Sequence, residues 1–97
     1  MTRFVLSHPA EADLHQIKNF LVERAGATIA RRVMKEIRLA LDLLTDRPDL
    51  GHAREDLTNL PVKFWPVFSY LIVYSPNARP IEIIRVLHGA QDVGNLL

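Results

Sequence analysis

Near residue 62 the apolar pattern of this chain changes from a helical period to an extended one, and it does not change back. Upstream, Ala10, Leu14, Ile17 and Leu21 recur at four, three and four residues, which is one stripe of an amphipathic helix. That helix opens after "SHP", where Pro9 suits the first turn and Ser7 or His8 can cap it, and Gly26 stops it. A second helix carries the wider stripe Ala30, Val33, Met34, Ile37, Ala40, Leu41 and Leu44 and breaks at "DRPDLG", since Pro48 cannot continue it. The link between the two is so short that they form an antiparallel hairpin. Downstream, "VKFWPVF", "SYLIVYS" and "IEIIRVLH" are rich in β-branched and aromatic residues, with "PNARP" as a turn between the last two. Pro66 lacks an amide donor, so the first of these strands lies at an edge or bends there. With "RFVL" at residues 3–6 as an opening strand, the order is strand, helix, helix, three-stranded meander. This predicts an α+β fold in one domain over residues 1–97: a small antiparallel sheet with two helices packed on one face.

Alternation along the strands leaves both sheet faces apolar. It places Glu82, Ile84 and Val86 on one face and Ile81, Ile83, Arg85 and Leu87 on the other, while Leu71 and Val73 oppose Tyr70, Ile72 and Tyr74. The helix hairpin covers one face only, so the other needs the C-terminal tail or a second chain. A domain of 97 residues with 48% apolar residues also leaves apolar surface in water, for which a partner is the expected cover. Arg85 interrupts an otherwise apolar strand. Its guanidinium either pairs internally, with Asp56, Asp92 or Glu55 as examples, or serves an anion or a partner. His88, at the strand exit, is a general acid or base or else a capping residue. Strict alternation puts it opposite Arg85 unless a bulge re-aims it.

Charge excludes little by itself, because 12 basic and 11 acidic residues leave a formal charge of +1 and no field that recruits nucleic acid or membrane. Arg31, Lys35 and Arg38 line one face of the second helix, as a solvated face or as a docking stripe for an acidic partner. Without interleaved aromatics it is a poor base-stacking surface. The loop "PDLGHAREDL" sets His52 and Arg54 beside Asp49, Glu55 and Asp56. The chain has no cysteine, and its histidines at 8, 15, 52 and 88 lack metal-ligand spacing, so neither a metal nor a cofactor is expected. No apolar segment approaches the roughly 20 residues that cross a bilayer, and the N-terminus lacks a signal-peptide pattern. A soluble, cytoplasmic protein is expected.

Four stretches in their order, "AEADLHQIKNFL", the helix running into "DRPDLGHAREDL", "FWPVFSYLIVYSP" and "IEIIRVLHGAQDV", span nearly the whole chain. Together they resemble the RelE/ParE superfamily, the toxins of bacterial type II toxin-antitoxin pairs, also labelled plasmid stabilisation proteins. The resemblance implies a compact toxin neutralised by an antitoxin with an acidic amphipathic tail, and contact with DNA only through that antitoxin. The antitoxin-facing residues are then Leu14, Ile17, Leu21, Arg31, Lys35, Arg38, Tyr70 and Tyr74. The superfamily divides by target. RelE-like members cut messenger RNA on the ribosome, and a site of that kind would draw on Arg54, Lys63, Arg85 and His88. ParE-like members poison DNA gyrase. The central strand "SYLIVY" carries no cation, and "RVLHGAQD" looks ParE-like, so a gyrase-directed binding toxin is expected rather than an enzyme. Arg85, His88, Val93, Leu96 and Leu97 would face the target. The alternatives are the ribonuclease and an inactive homologue that serves only as antitoxin partner or co-repressor.

Overall fold

The structure, a computed structural model, describes residues 3–97; the signal-peptide reading of the N-terminus extends onto Met1 and Thr2, outside the described residues. Ser7 sets the first corner of the fold. It ends strand β1 (Phe4–Leu6) and caps helix α1 (His8–Ala25): its Oγ accepts from the Ala10 amide at 3.1 Å. The same Oγ donates to the Ile84 carbonyl at 2.7 Å, and the Ser7 amide donates to the Ile83 carbonyl at 3.0 Å. One residue thus caps a helix and fastens it to a strand 77 positions away. Gly26, at φ 90°, then turns the chain directly into helix α2 (Ala27–Asp46). Strands β2 (Lys63–Val67), β3 (Tyr70–Ser75) and β4 (Ile81–His88) follow, and a short helix α3 (Val93–Leu96) closes the chain.

The sheet order is β1-β4-β3-β2. The meander is antiparallel, as expected, but β1 lies parallel to β4, with Phe4 opposite Ile81 and Leu6 opposite Ile83, so the sheet is mixed. Parallel neighbours need a long crossover, and the helix hairpin supplies it. Pro66 sits on β2 at the sheet edge. Phe64, two residues earlier and aimed the same way, exchanges both backbone hydrogen bonds with His52 at 2.8 and 2.9 Å. The missing donor of Pro66 therefore falls on the outer side, where no ladder partner is lost.

Both faces are covered by the chain itself. On one, Ile17, Ile37, Leu41 and Leu44 of the helices pack against Ile72, Tyr74, Ile81, Ile83 and Val86. On the other, Val62 and Val93 close over Phe64, Val73 and Leu87, with Leu57, Leu71, Ile84 and Leu97 around them. The second cover is the C-terminal tail together with the segment before β2. Strict alternation fails in β4 because of a bulge: Val73 pairs with Arg85 but Tyr74 pairs with Ile83, so Ile84 is an extra residue. Val86 therefore joins Ile81 and Ile83 on the helix face, and Leu87 joins Ile84 on the other, which corrects the assignment from alternation.

Candidate functional site

Beyond Leu6, where β1 ends, β4 runs on to His88 paired with β3 on one side only, and its open backbone on the β1 side needs another partner. Asp13 of α1 supplies one. Its carboxylate, on a residue only 7% exposed, accepts from the Val86 amide at 3.0 Å. It also takes Arg85 in a two-point grip, Nε to Oδ2 and Nη2 to Oδ1, both at 2.8 Å. The remaining arm of the guanidinium, Nη1, donates to the Leu96 carbonyl at 2.8 Å. Arg85 thus spans from α1 to the C-terminal tail. The hydrogen-bonded Asp13 carboxylate raises the Arg85 pKa above its ordinary value against the opposing effect of burial, so the guanidinium stays charged. An internal ion pair is what a mid-strand arginine calls for, but its partner is Asp13 rather than Asp56, Asp92 or Glu55. One signal in the sequence marked it: Asp13 lies between Ala10, Leu14 and Ile17, a carboxylate set into the apolar stripe of α1.

Arg85 pairs with Val73 and His88 with Tyr70, so the two stay on opposite faces of β4. Arg85 nevertheless reaches Asp13 of α1 and so shares with His88 one cleft of 330 Å³ between α1 and the exit of β4, where Ile17, Phe20 and Tyr70 also line the wall. The His88 ring stands edge-on to Tyr70, with centroids 5.5 Å apart and planes at 86°. Its Nδ1 accepts from the Ala90 amide at 3.1 Å, and its own amide donates to Gln91 Oε1 at 2.7 Å. These bonds turn the chain out of β4, as a capping histidine does, and in the neutral ring they put the proton on Nε2. Burial raises the Tyr70 pKa, so its hydroxyl remains a protonated donor.

Arg54 and Lys63 line a different cleft, with Pro61, Pro76 and Asn77. Arg54 is engaged by Asp56 at 3.0 and 2.8 Å, a pair that raises the arginine pKa and lowers that of the aspartate. Lys63 Nζ reaches the Asp49 carbonyl at 3.3 Å. Lys63 pairs with Tyr74 and His88 with Tyr70, so the two lie toward opposite ends of β3, about 13 Å apart along it at the usual rise. The four residues that a ribonuclease would draw on are thereby divided between two sites. Among the described residues no three His, Asp or Glu side chains gather as metal ligands.

Residues 4–93 match the model of a family described as "ParE toxin of type II toxin-antitoxin system, parDE". The chain belongs to this ParE toxin family. Toxin ParE1 of Caulobacter vibrioides is 30% identical over 92 residues, which cover 95% of this chain and 94% of that protein. Toxin ParE1 of Mycobacterium tuberculosis is 27% identical over 92 residues, again 95% of this chain and 94% of its own. A solved structure titled "Chromosomal ParDE TA system from P. aeruginosa" superposes with a TM-score of 0.74 at 20% identity, covering 91% of this chain and 96% of that one, and so shares the fold. This ParE-like chain is the toxin component of a type II toxin-antitoxin system, and an antitoxin is its partner.

The residues expected to face such a partner differ in exposure. Ile17 and Tyr70 are each 8% exposed and Tyr74 is fully buried, its hydroxyl donating to the Pro48 carbonyl at 2.7 Å and accepting from the Gly51 amide at 2.8 Å. Leu14 and Leu21 are half-buried, and Arg31, Lys35 and Arg38 are exposed. Arg38 lies 3.7 Å from Asp42 and 5.4 Å above the Phe4 ring. In the tail, Val93 is 4% exposed and Leu97 packs beside it, so both serve as inner cover; Leu96 is the one of the three left at the surface, 37% exposed. Among the described residues no helix is long and apolar enough to cross a membrane.

Proposed function

We propose that this ParE-like toxin acts in the cytoplasm by binding and poisoning DNA gyrase, and that an antitoxin with an acidic amphipathic tail neutralises it. The observation that carries this reading over RNA cleavage is the division of the basic residues. Cutting RNA through its 2′-hydroxyl needs a base and cations converging on one phosphate. Here each candidate cation is already held by the protein, Arg85 by Asp13, Arg54 by Asp56 and Lys63 by the Asp49 carbonyl, and Lys63 and His88 lie apart on the sheet. A toxin that works by contact needs a shaped surface instead, and the cleft of His88, Tyr70 and Phe20 with Leu96 nearby on the tail offers one.

The antitoxin reading rests on α2 and its flank. A groove of 230 Å³ runs between α1, α2 and β1, lined by Phe4, Leu6, Leu14, Met34 and Leu41. Arg38 borders it, and Arg31 and Lys35 continue the positive face, which would speed the approach of an acidic tail. Expression of the chain alone in cells, followed for DNA damage and for message integrity, tests the target. Early DNA damage with intact messages, and trapped cleavage complexes with purified gyrase, are expected. Rapid message cleavage would overturn the proposal in favour of the ribonuclease, and unimpaired growth at full expression would point to an inactive homologue.

A further inference from the structure

Val67 pairs with Tyr70, so the hairpin from β2 to β3 turns on two residues, Phe68 and Ser69. Phe68 has φ 53° and is the one non-glycine residue with positive φ among the described residues. Two-residue hairpins ask for positive φ at their first position because the primed turns match the strand twist, and Gly, Asn or Asp normally fill it. A Cβ resists that region, and a bulky side chain there is an outlier. The ring gains nothing locally in return, since at 64% it is the most exposed large apolar side chain among the described residues. Neither packing nor turn chemistry accounts for a phenylalanine here.

Strained conformations of this kind persist where the surroundings enforce them, and they cluster at binding sites. The surroundings do enforce this one. The Gly89 amide donates to the Ser69 carbonyl at 2.7 Å, which ties the hairpin tip to the turn leaving β4, and a Cβ on Gly89 would stand 3.3 Å from that same oxygen. The tip is a firm platform next to the His88 turn, carrying a large ring that has few rotamers to lose on binding.

We infer that Phe68 is an anchor of the toxin's target-binding surface, a ring held out on a rigid tip for insertion into an apolar pocket of the target protein. This rests on the reading above of the chain as a toxin that acts by binding. Charge selects the partner. Residues 66–69 and 89–92 contain no Lys or Arg, and Arg85, further back on β4, is held by Asp13. A nucleic acid stacking on Phe68 would bring phosphates with no cation to meet them. An acidic antitoxin tail would meet Asp92 at this end and finds its cations on α2 instead. A protein with an apolar pocket meets neither obstacle.

The test compares Phe68→Gly and Phe68→Asn, both suited to positive φ, with Phe68→Trp. Growth arrest, gyrase inhibition, antitoxin affinity and Tm are measured for each. For the Gly and Asn variants the expected result is a Tm higher by about 5 °C as the strain is released, unchanged antitoxin affinity, and a loss of toxicity and target affinity of roughly 30-fold or more. Phe68→Trp retains toxicity. If wild type fails to inhibit gyrase, the choice of target falls, while growth arrest that depends on Phe68 with antitoxin affinity intact still supports the anchor. Toxicity within about twofold of wild type in the Gly variant overturns the anchor whatever the target. So does a loss confined to antitoxin affinity, or a lower Tm in both the Gly and Asn variants.

Discussion

Removing the Asp13 carboxylate by Asp13→Ala is expected to cost about 3 kcal/mol of stability, from two losses that the geometry separates. The Val86 amide, buried and aimed at Asp13 from 3.0 Å, is left without an acceptor, at about 1–2 kcal/mol. Arg85 loses both of its 2.8 Å contacts to Asp13. Stranding one partner of a fully buried pair costs roughly 3–5 kcal/mol, but the Arg85 side chain is 22% exposed against 9% for Asp13, so water relieves much of that and about 1–2 kcal/mol remains. The sum is a large part of the ~5–15 kcal/mol that holds a typical domain together. In a chain of this size it lowers Tm by on the order of 15 °C. Asp13→Asn keeps the shape and one acceptor and is expected to lose about half as much. The assay is urea unfolding of the purified toxin in a double-mutant cycle with Arg85→Met, where a coupling of about 1.5–2 kcal/mol is expected. Hydrogen exchange adds a site-specific readout. Asp13→Ala should strip protection from the Val86 amide, whereas Arg85→Met should leave it, because that bond goes to Asp13 alone. A coupling near zero would show that the pair behaves as an exposed one, and a Val86 amide still protected in Asp13→Ala would refute the role assigned to the carboxylate.

Two further outcomes follow from buried groups. Tyr74 has its pKa raised, by burial first and then by the nearby Asp49 charge, against the lowering effect of the Gly51 amide. A raised folded-state value means that its stabilisation is complete below the unfolded value of about 10 and is lost as pH rises through the folded one. Stability of wild type should therefore fall on the alkaline side. Tyr74→Phe, weaker by about 1–2 kcal/mol at neutral pH for the loss of both hydroxyl contacts, should show a shallower fall, with Tyr70 supplying the remainder; an unchanged alkaline slope would contradict this. Deletion of residues 90–97 uncovers Leu87, Val73 and Phe64 and removes the Leu96 carbonyl from Arg85, and is expected to cost about 2–4 kcal/mol of stability. Dye binding and near-UV circular dichroism would report it, and a truncated chain with wild-type Tm would refute it.

Whatever is local along the chain was legible from the residues alone. The 3.6-residue stripes of Ala10 to Leu44, the proline and glycine stops, the extended runs after residue 62 and the edge strand marked by Pro66 all follow from backbone sterics and side-chain period, which act between near neighbours. Together with the ParE-like stretches they sufficed for the element order and the family. What joins distant segments was decided only in the folded molecule. The parallel pairing of β1 with β4, the extra Ile84 that exchanges the faces of Val86 and Leu87, the closure of the second face by Val93 and Leu97, and the grip of Asp13 on Arg85 across 72 residues each depend on which backbone groups and charges remain unsatisfied once the layers meet. Alternation counts residues along a single strand and cannot register a bulge, because the extra residue is defined only against its partner. In the same way a carboxylate on a helix stripe signals that a cation is needed, and only the packing of α1 against the open edge of β4 selects Arg85 to meet it.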